Sequence, residues 1–541
     1  MRRYRPLPAV VFAVALSALV GGFFGKSALA TDEKVPEHYK RFTAALNAIE
    51  ANYIEEVKSD SLIYSSIRGM LGTLDPHSSF FTPKEYAQMR ERQEGHYYGI
   101  GVTIVTVDGD ITALSVFEGS PAYKVGLRRG DIIAQIAGES AKGWTTEQAM
   151  QKLRGPRGTP VRMGLKRRGY DELIPIELTR DQVIIPTVPA YFMIDATTGY
   201  IRMQDFGENT DRDVKRALRD LTTKGMKRLL FDLRGNPGGP LDQAIKVANE
   251  FLPKGAAIVQ TRGRISNSDA DYNATEEGEF TTVPIVMLAN RDSASASEIV
   301  SGALQDHDRA YLVGETTFGK ALVQSVYRIA SQAGLALTTA HYYTPSGRLI
   351  QRPWDESFEE YLSYRQKDQG VEREHNASDL KHTGAGRPVY SGGGIEPDRR
   401  LAGPLEGFNP SRFGRMLVSR QAFESFAQNF NAQGDTRILG KSVGRKTVAR
   451  NFVVDDAMVA DFRAQLATDK IKIDEDAFKN DLEFIKAMIR FRIDEAVFGM
   501  SDARRHLIAV DPQAQLALTM FGEAQKLLEL KGAASTTKVG N

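Results

Sequence analysis

Unbroken apolar runs and helical repeats alternate through the middle of the chain. Val283 to Ala289 is a short apolar run typical of a buried strand. Pro186 to Gln204 and Leu229 to Asn236 have strand-like patterns around a helical pattern at Asp211 to Lys224. Apolar residues at helical spacing follow the first run, at Ile299, Val300, Ala303 and Leu304. This alternation of strand and helix predicts an α/β core.

Both ends of the chain have helical patterns instead. Beyond Pro410, apolar residues recur at helical spacing: Phe413, Met416, Leu417, Phe423, Phe426, Phe430, Leu482, Ile485, Ile489 and Ile493. With 541 residues the chain is too long for one core, so three or four domains are expected. We divide it into an export segment (1–30), a helical segment (31–96), a β-rich domain (97–182), the α/β core (183–405) with a polar insertion (352–391), and a helical extension (406–541) with a frayed tail from Lys531.

Composition excludes several functional classes. A hydrophobic content of 42% and a charged content of 26% are ordinary for a globular protein. The net charge of +2 and the lack of a basic cluster beyond the amino terminus do not favour nucleic-acid binding. The absence of cysteine excludes a cysteine nucleophile, disulfides and thiolate zinc sites, and the eight histidines show no ligand spacing. We therefore expect no metal and no cofactor.

The amino terminus has the pattern of an export signal. Arg2, Arg3 and Arg5 precede an apolar run from Ala9 to Gly25, and small residues suited to a cleavage site follow at 28–30. The run is also close to the lower limit for an uncleaved membrane anchor, which stays open as an alternative. Either reading predicts that the rest of the chain lies outside the cytoplasm, in the periplasm.

Ser295 stands where the apolar strand gives way to a helix. Backbone N–H groups at a helix start are unpaired and lie at the positive end of the dipole, so they can hold an oxyanion. A serine there still needs a general base. The candidate is Lys320, which lies between Phe318-Gly319 and the apolar segment 321–323. A lysine can act as a base only when burial lowers its pKa from about 10.4 by roughly three units.

A phosphate-binding loop is the competing interpretation of this lysine. Residues 314–320, GETTFGK, fit the G-x-x-x-x-G-K pattern. However, Ala321 stands where a magnesium-binding hydroxyl is needed, and the following LVQSVYRI has a strand pattern instead of opening a helix. The sequence therefore favours a serine peptidase site over a nucleotide site.

These segments together resemble the carboxy-terminal processing proteases, also called tail-specific proteases, a Ser/Lys serine peptidase family. The resemblance rests on six motifs: SASASE at 293–298, GETTFGK ending 25 residues after Ser295, LFDLRGNPGG at 230–239, LDPHSSFF at 74–81, YYTPSGRLIQ at 342–351 and GGIEPD at 393–398. The resemblance implies a crotonase/ClpP-like fold, with Ser295 as nucleophile and Lys320 as base. It implies that Asp306 and Gln324 orient Lys320, and that Gly238 or Gly239 joins the Ala296 amide in an oxyanion hole. The insertion at 352–391 departs from the family pattern, and its role stays open.

A second module lies between His96 and Val183. YGIGVT at 98–103 and EGSPAYKVGLRRGDIIAQI at 118–136 resemble the carboxylate-binding loop and a signature of a PDZ domain. The predicted peptide-binding loop residues are Tyr98, Gly99, Ile100, Gly101 and Val102, and 147–153 would line the groove as a helix. Backbone amides near small residues can hold a free C-terminal carboxylate, and a strand edge can pair with the peptide. The predicted partners are proteins or peptides with free C-termini; an adaptor, a membrane tether and a homo-oligomer stay open.

Two other classes of function remain as alternatives. A catalytically inactive PDZ scaffold would keep residues 97–182 but would not need Ser295 and Lys320 in place. A non-peptidase member of the crotonase-like fold that acts on acyl thioesters would explain the α/β core and the oxyanion turn. It would explain neither the PDZ module nor the lysine.

Overall fold

The computed structural model describes residues 35–329, 332–354, 361, 363–364, 375–433 and 446–537. The chain forms two compact units, residues 1–82 and 83–541. The described part of the first unit contains helices Val35–Asn52 and Ser59–Leu71 and strand β1, Ser79–Phe81. The predicted export segment lies outside the described residues.

The second unit begins with helix Pro83–Glu94 and continues into a β-rich domain. Its strands are β2 (His96–Gly99), β3 (Val102–Val107), β4 (Asp110–Val116), β5 (Ile132–Ile136), β6 (Glu139–Ser140), β7 (Pro160–Lys166), β8 (Ile174–Thr179) and β9 (Asp181–Ile184). Its helices are Pro121–Lys124 and Thr146–Leu153. The main sheet has the order β3-β4-β5-β7-β8 with β6 on β5, while β2 pairs with β9. Alternate residues fill its core, including the fully buried Ile111, Ile133 and Leu165.

The predicted α/β core is a six-stranded sheet in the order β10-β11-β12-β15-β16-β21. Its strands are β10 (Ala190–Met193), β11 (Thr198–Arg202), β12 (Arg228–Asp232), β15 (Ile285–Ala289), β16 (Ala310–Gly314) and β21 (Arg399–Arg400). Only β10 is antiparallel to its neighbour. Helices Thr210–Thr223, Leu241–Asn249 and Ala296–Asp306 cover one face, where their apolar residues pack against Leu229, Phe231, Ile285 and Met287.

An antiparallel sheet in the order β14-β13-β18-β17 lies in the same unit. Its strands are β13 (Ala257–Gly263), β14 (Ala270–Asn273), β17 (Leu322–Arg328) and β18 (Gly334–Tyr343). The polar insertion contains a hairpin of β19 (Leu380–His382) and β20 (Pro388–Tyr390).

The C-terminal extension, which the sequence predicts as one helical segment, has two parts. Helices Arg412–Ser419, Ala422–Ala427, Asp456–Thr468, Glu475–Asn480 and Leu482–Val497 share a separate core with Phe423, Phe462 and Ile489. Helices Met500–Ile508, Pro512–Thr519 and Phe521–Thr537 pack on the second face of the central sheet, against Leu230, Val286 and Leu288. The last helix runs past Lys531, where the sequence predicts fraying.

Phe430 also differs from the prediction. The sequence places it in a helical repeat, but it lies in strand β22 (Phe430–Ala432), which pairs in parallel with β23 (Lys446–Val448). Its ring is buried and packs at 5.2 Å from Phe426. The helical spacing therefore reflected shared burial in one core, not one continuous helix.

Candidate active site

Ser295 occupies a strained turn between β15 and helix Ala296–Asp306. Its backbone has φ 54° and ψ −116°, outside the regions that non-glycine residues favour. The turn is closed by the Ser293 hydroxyl, which accepts from Asn290 N–H at 3.0 Å and donates to the Leu233 carbonyl at 2.9 Å. A sharp strand-to-helix turn of this type presents a serine hydroxyl at the start of a helix, the position expected of a nucleophile.

Lys320 lies on the loop between β16 and β17 and is half-buried. Its Nζ donates to Gln324 Oε1 at 3.1 Å. Gln324 follows an irregularity in the β17–β18 register between Val323 and Gln324. Such a bulge re-aims the side chain that follows it. Among the described residues no hydrogen bond joins Lys320 Nζ to Ser295 Oγ, although catalytic contacts of this kind often shorten only when substrate binds.

A buried carboxylate connects the serine turn to the lysine loop. Glu298 Oε2 accepts from the Ser295 N–H at 2.8 Å and from the Lys320 N–H at 2.9 Å. Glu298 Oε1 accepts from the Gly319 N–H at 2.7 Å and from the Thr317 hydroxyl. Burial raises the pKa of Glu298, and the four donated hydrogen bonds act in the opposite direction. Four donors use all the acceptor positions of one carboxylate, so Glu298 fixes both backbones at once.

Tyr342 provides a second connection from β18. Its buried hydroxyl lies 2.8 Å from the Lys320 carbonyl oxygen and 3.1 Å from the Ser295 carbonyl oxygen. The backbones of the two segments also meet directly, because the Phe318 N–H donates to the Ser293 carbonyl at 2.9 Å. The structure thus brings the segments that carry Ser295 and Lys320 together through contacts in which neither of these two side chains takes part.

The glycine turn after β12 lies against the serine turn. A Cβ built on Gly238, which has φ 92°, would lie 2.7 Å from the Ala296 nitrogen, so only glycine fits there. The Gly238 N–H donates to Asn236 Oδ1 at 2.9 Å. Among the described residues no hydrogen bond is made by the N–H of Ala296 or of Gly239, and Gly239 is exposed. Of the two glycines predicted for the oxyanion hole, Gly239 therefore has an N–H without a hydrogen bond among the described residues, and Gly238 lies close to the Ala296 backbone.

Asp306 forms its hydrogen bonds with residues other than Lys320. It ends the helix that Ser295 begins, and its carboxylate accepts from the Ser346 N–H at 2.9 Å and from the Ser346 hydroxyl at 2.7 Å. The same carboxylate forms a buried ion pair with Arg348. These partners belong to the turn after β18, and no hydrogen bond between Asp306 and Lys320 is found among the described residues, so the role of Asp306 in orienting Lys320 stays a prediction.

The polar insertion covers the lysine loop. Tyr361 and Tyr364 pack edge-on against Phe318, with ring centroids 5.2 and 6.2 Å away. Arg352 Nε donates to the Phe318 carbonyl at 2.8 Å. Phe318 is buried as a result, so the insertion that departs from the family pattern shields one side of the loop that carries Lys320.

The predicted peptide-binding loop joins β2 to β3. Tyr98 and Gly99 end β2, and Ile100 is buried. Gly101 has φ 87°, and a Cβ at this position would collide with the Ser120 side chain. Val102 begins β3, which is an edge strand of its sheet and contacts helix Thr146–Leu153. An unpaired strand edge beside a helix is the arrangement that peptide addition requires.

Two observations limit other kinds of site. Within residues the structure describes, no cluster of three or more histidine, cysteine or acidic side chains could hold a metal ion. Across the same residues, none of the helices combines the length and apolar character needed to cross a membrane.

Comparison with known proteins agrees with this architecture. The family model for peptidase family S41 matches residues 197–354, and a PDZ domain model matches residues 113–167. A carboxy-terminal-processing protease of Bartonella bacilliformis is 39% identical over 316 residues, which cover 58% of this chain and 72% of the relative. The carboxy-terminal processing protease CtpA of Bacillus subtilis is 32% identical over 347 residues, covering 63% of this chain and 74% of that protein. A carboxyl-terminal-processing protease of Synechocystis is 35% identical over 298 residues, covering 53% and 68%.

The matched residues include the serine turn, the lysine loop and the glycine turn described above. The chain therefore belongs to peptidase family S41, as a carboxy-terminal processing protease of the serine type that carries a PDZ domain.

Proposed function

We propose that the chain is an exported endopeptidase that uses a Ser295/Lys320 pair and cuts proteins near their C-termini. Neutral Lys320 accepts the Ser295 proton as Oγ attacks the scissile carbonyl. The N–H groups of Ala296 and Gly239 receive the oxyanion. Lys320 then passes its proton to the leaving amine, and water hydrolyses the acyl-enzyme with Lys320 again acting as base.

The observation that carries this proposal is the shared Glu298 carboxylate. It holds the backbone N–H groups of Ser295 and Lys320 2.8 and 2.9 Å from one oxygen atom. A structural lysine would not need its main chain fixed to the strained turn of a serine. Gln324 Oε1 accepts one of the Nζ protons at 3.1 Å, and this contact would hold the amine in one orientation. Gln324 is therefore the orienting residue in the proposal.

Tail recognition is assigned to the loop at 98–102 and the open edge of β3. A substrate C-terminus would add as a strand between β3 and helix Thr146–Leu153, with its carboxylate on the loop amides. We expect the last residue of the substrate to be apolar. The export pattern at residues 1–30 supports a periplasmic location for this activity, and cell fractionation with a C-terminal tag tests that part separately.

The catalytic pair is tested with a fluorogenic peptide that ends in a free, apolar residue. Ser295→Ala and Lys320→Ala should each abolish cleavage, and Lys320→Arg should be inactive because a guanidinium stays protonated. Activity of the unmodified chain should rise with pH as Lys320 loses its proton. Full activity in folded Ser295→Ala protein would refute the assignment.

Ser293→Ala is the matched control for the nucleophile. It removes a hydroxyl two residues away that holds the turn but does not face the lysine loop. We expect lower stability and substantial residual activity. A pH profile set by a group near 6.5 and lost on mutation of a histidine would indicate a conventional triad instead.

Tail recognition is tested with two peptides that differ only in a free or an amidated C-terminus. Backbone amides bind a charged carboxylate more strongly than a neutral carboxamide. The free peptide should therefore be cut much faster, and it should bind more tightly to the Ser295→Ala protein. The same assay separates the remaining classes of function. A PDZ scaffold would bind without cutting, and a thioester-acting enzyme would cut neither peptide. Equal cleavage of both peptides would exclude tail recognition while leaving the Ser295/Lys320 chemistry intact.

A further inference from the structure

The glycine turn is anchored at its first residue, Arg234. The Arg234 backbone N–H and Nε both donate to Asp232 Oδ1 at 3.0 Å, and its Nη2 lies 2.7 Å from Oδ2 of the same carboxylate. Asp232 also pairs with Arg202 at 2.8 Å. One carboxylate therefore faces two guanidinium groups, and all three side chains are buried. A second anion is needed to balance this cluster.

The second anion comes from the C-terminal extension. Asp511 is fully buried, and its Oδ2 lies 2.7 Å from Arg234 Nη2. Gln513 Oε1 accepts from Arg234 Nη1 at 3.1 Å. Asp511 Oδ1 caps helix Pro512–Thr519 by accepting from the Ala514 N–H. These residues lie outside the segment that matches the S41 family model, which ends at residue 354.

The turn that Arg234 begins is in direct contact with the turn that carries Ser295. The Asn236 carbonyl accepts from the Ala294 N–H and from the Ser297 hydroxyl, both at 3.0 Å. Gly238 is so close to Ala296 that a single added methyl group would not fit. A movement of a few tenths of an ångström at Arg234 would therefore change the spacing of the amides that face the oxyanion.

We propose that Asp511 is a positioning residue for peptide hydrolysis, which sets the oxyanion turn through its ion pair with Arg234. The inference rests on the proposed function, because it needs Gly239 and Ala296 to hold the oxyanion. It gives the extension a direct role in the chemistry. Without the Asp511 charge, Arg202 and Arg234 share one carboxylate and repel each other, and the turn moves with Arg234.

The test is Asp511→Asn in the full chain. Asparagine keeps the helix cap but removes the charge. With the fluorogenic peptide we expect kcat to fall about 30-fold, below the 10²–10³-fold loss seen when an oxyanion donor is removed outright, and KM to stay within about twofold. A peptide aldehyde with the acyl half of the same sequence forms a hemiacetal whose oxygen occupies the oxyanion site. Its inhibition constant should rise by the same factor as kcat falls.

Asp502→Asn is the matched control. Asp502 lies in the same covering layer and pairs with exposed Arg450, away from the turn. It should leave kcat, KM and aldehyde inhibition unchanged. Gln513→Leu removes the other contact to Arg234 and should lower kcat several-fold, so the inference stays testable if Asp511→Asn does not fold.

Unchanged kcat and aldehyde inhibition in folded Asp511→Asn protein would overturn the inference. So would a loss of kcat with no loss of aldehyde affinity, since that pattern would put the defect outside the oxyanion site. Failure of the proposed function is a different result, namely cleavage that persists in Ser295→Ala protein.

Discussion

The two ends of helix Ala296–Asp306 compensate a buried carboxylate in different ways. Each end buries a carboxylate: Glu298 in the first turn and Asp306 at the last residue. Glu298 is surrounded by neutral donors, three backbone N–H groups and one hydroxyl. Asp306 is neutralised by Arg348 and accepts two further bonds from Ser346.

The difference reflects what each end must hold. An ion pair compensates buried charge, and its two long side chains tolerate small changes in backbone position. Direct bonds from a carboxylate to several N–H groups fix the backbone itself. The end that carries Ser295 also stores the cost of a strained φ, about 1–3 kcal/mol, which the surrounding bonds must offset. We infer that the first end serves catalysis and the second serves stability.

Replacing Glu298 with glutamine should have the largest effect on activity. The new amide group would face donors, leaving two buried N–H groups unpaired at about 1–3 kcal/mol each. Since 1.36 kcal/mol is tenfold in rate, kcat/KM should fall at least about 30-fold. Steady-state cleavage of the fluorogenic peptide, corrected for the folded fraction, measures it. Activity within a few-fold of the unmodified chain would remove the distinction between the two ends.

Replacing Asp306 with asparagine is the matched substitution at the other end. Removing one partner of a buried ion pair costs about 3–5 kcal/mol, so the free energy of unfolding should fall by that order. The folded protein should keep kcat within about threefold and an unchanged pH profile. If the pH profile moved instead, Asp306 would act on Lys320 after all, and the comparison would fail.

The sequence indicates the side chains proposed to react better than it indicates the hydrogen bonds and ion pairs that hold their segments in place. Ser295 and Lys320 were proposed from short motifs, and Gln324 from the glutamine that the family carries four residues after the lysine. The partner of Asp306 could not be predicted, because Arg348 lies 42 residues later and no local pattern reveals which buried arginine a carboxylate contacts. The position of Glu298 is partly visible in the sequence. A serine followed three residues later by glutamate is the pattern of a capping box, yet its additional bonds to Gly319 and Lys320 depend on tertiary structure.

The fold shows the same limit at a larger scale. The continuous apolar run from Val283 to Ala289 predicted a buried strand, and all five residues of the observed strand Ile285–Ala289 are buried. That pattern required a covering layer on each face, but it could not say where in the chain the second layer lies. It comes from residues 500–537, so the extension completes the core instead of forming only a separate helical domain.

Replacing Tyr342 with phenylalanine should have the smallest effect of the three. The hydroxyl proton is shared between two carbonyls, and the Ser295 carbonyl still accepts from the Glu298 and Ile299 N–H groups without it. The main loss is therefore the hydrogen bond to the Lys320 carbonyl, at about 0.5–1.5 kcal/mol. We expect kcat to fall by no more than about tenfold, since part of that loss appears as stability. Tyr343→Phe is the control, because no hydrogen bond of the Tyr343 hydroxyl is found among the described residues. A fall in kcat as large as that of Glu298→Gln would mean that Tyr342 holds the Ser295 and Lys320 segments together as strongly as the Glu298 carboxylate does. An unchanged kcat in folded protein would show that Glu298 alone fixes them.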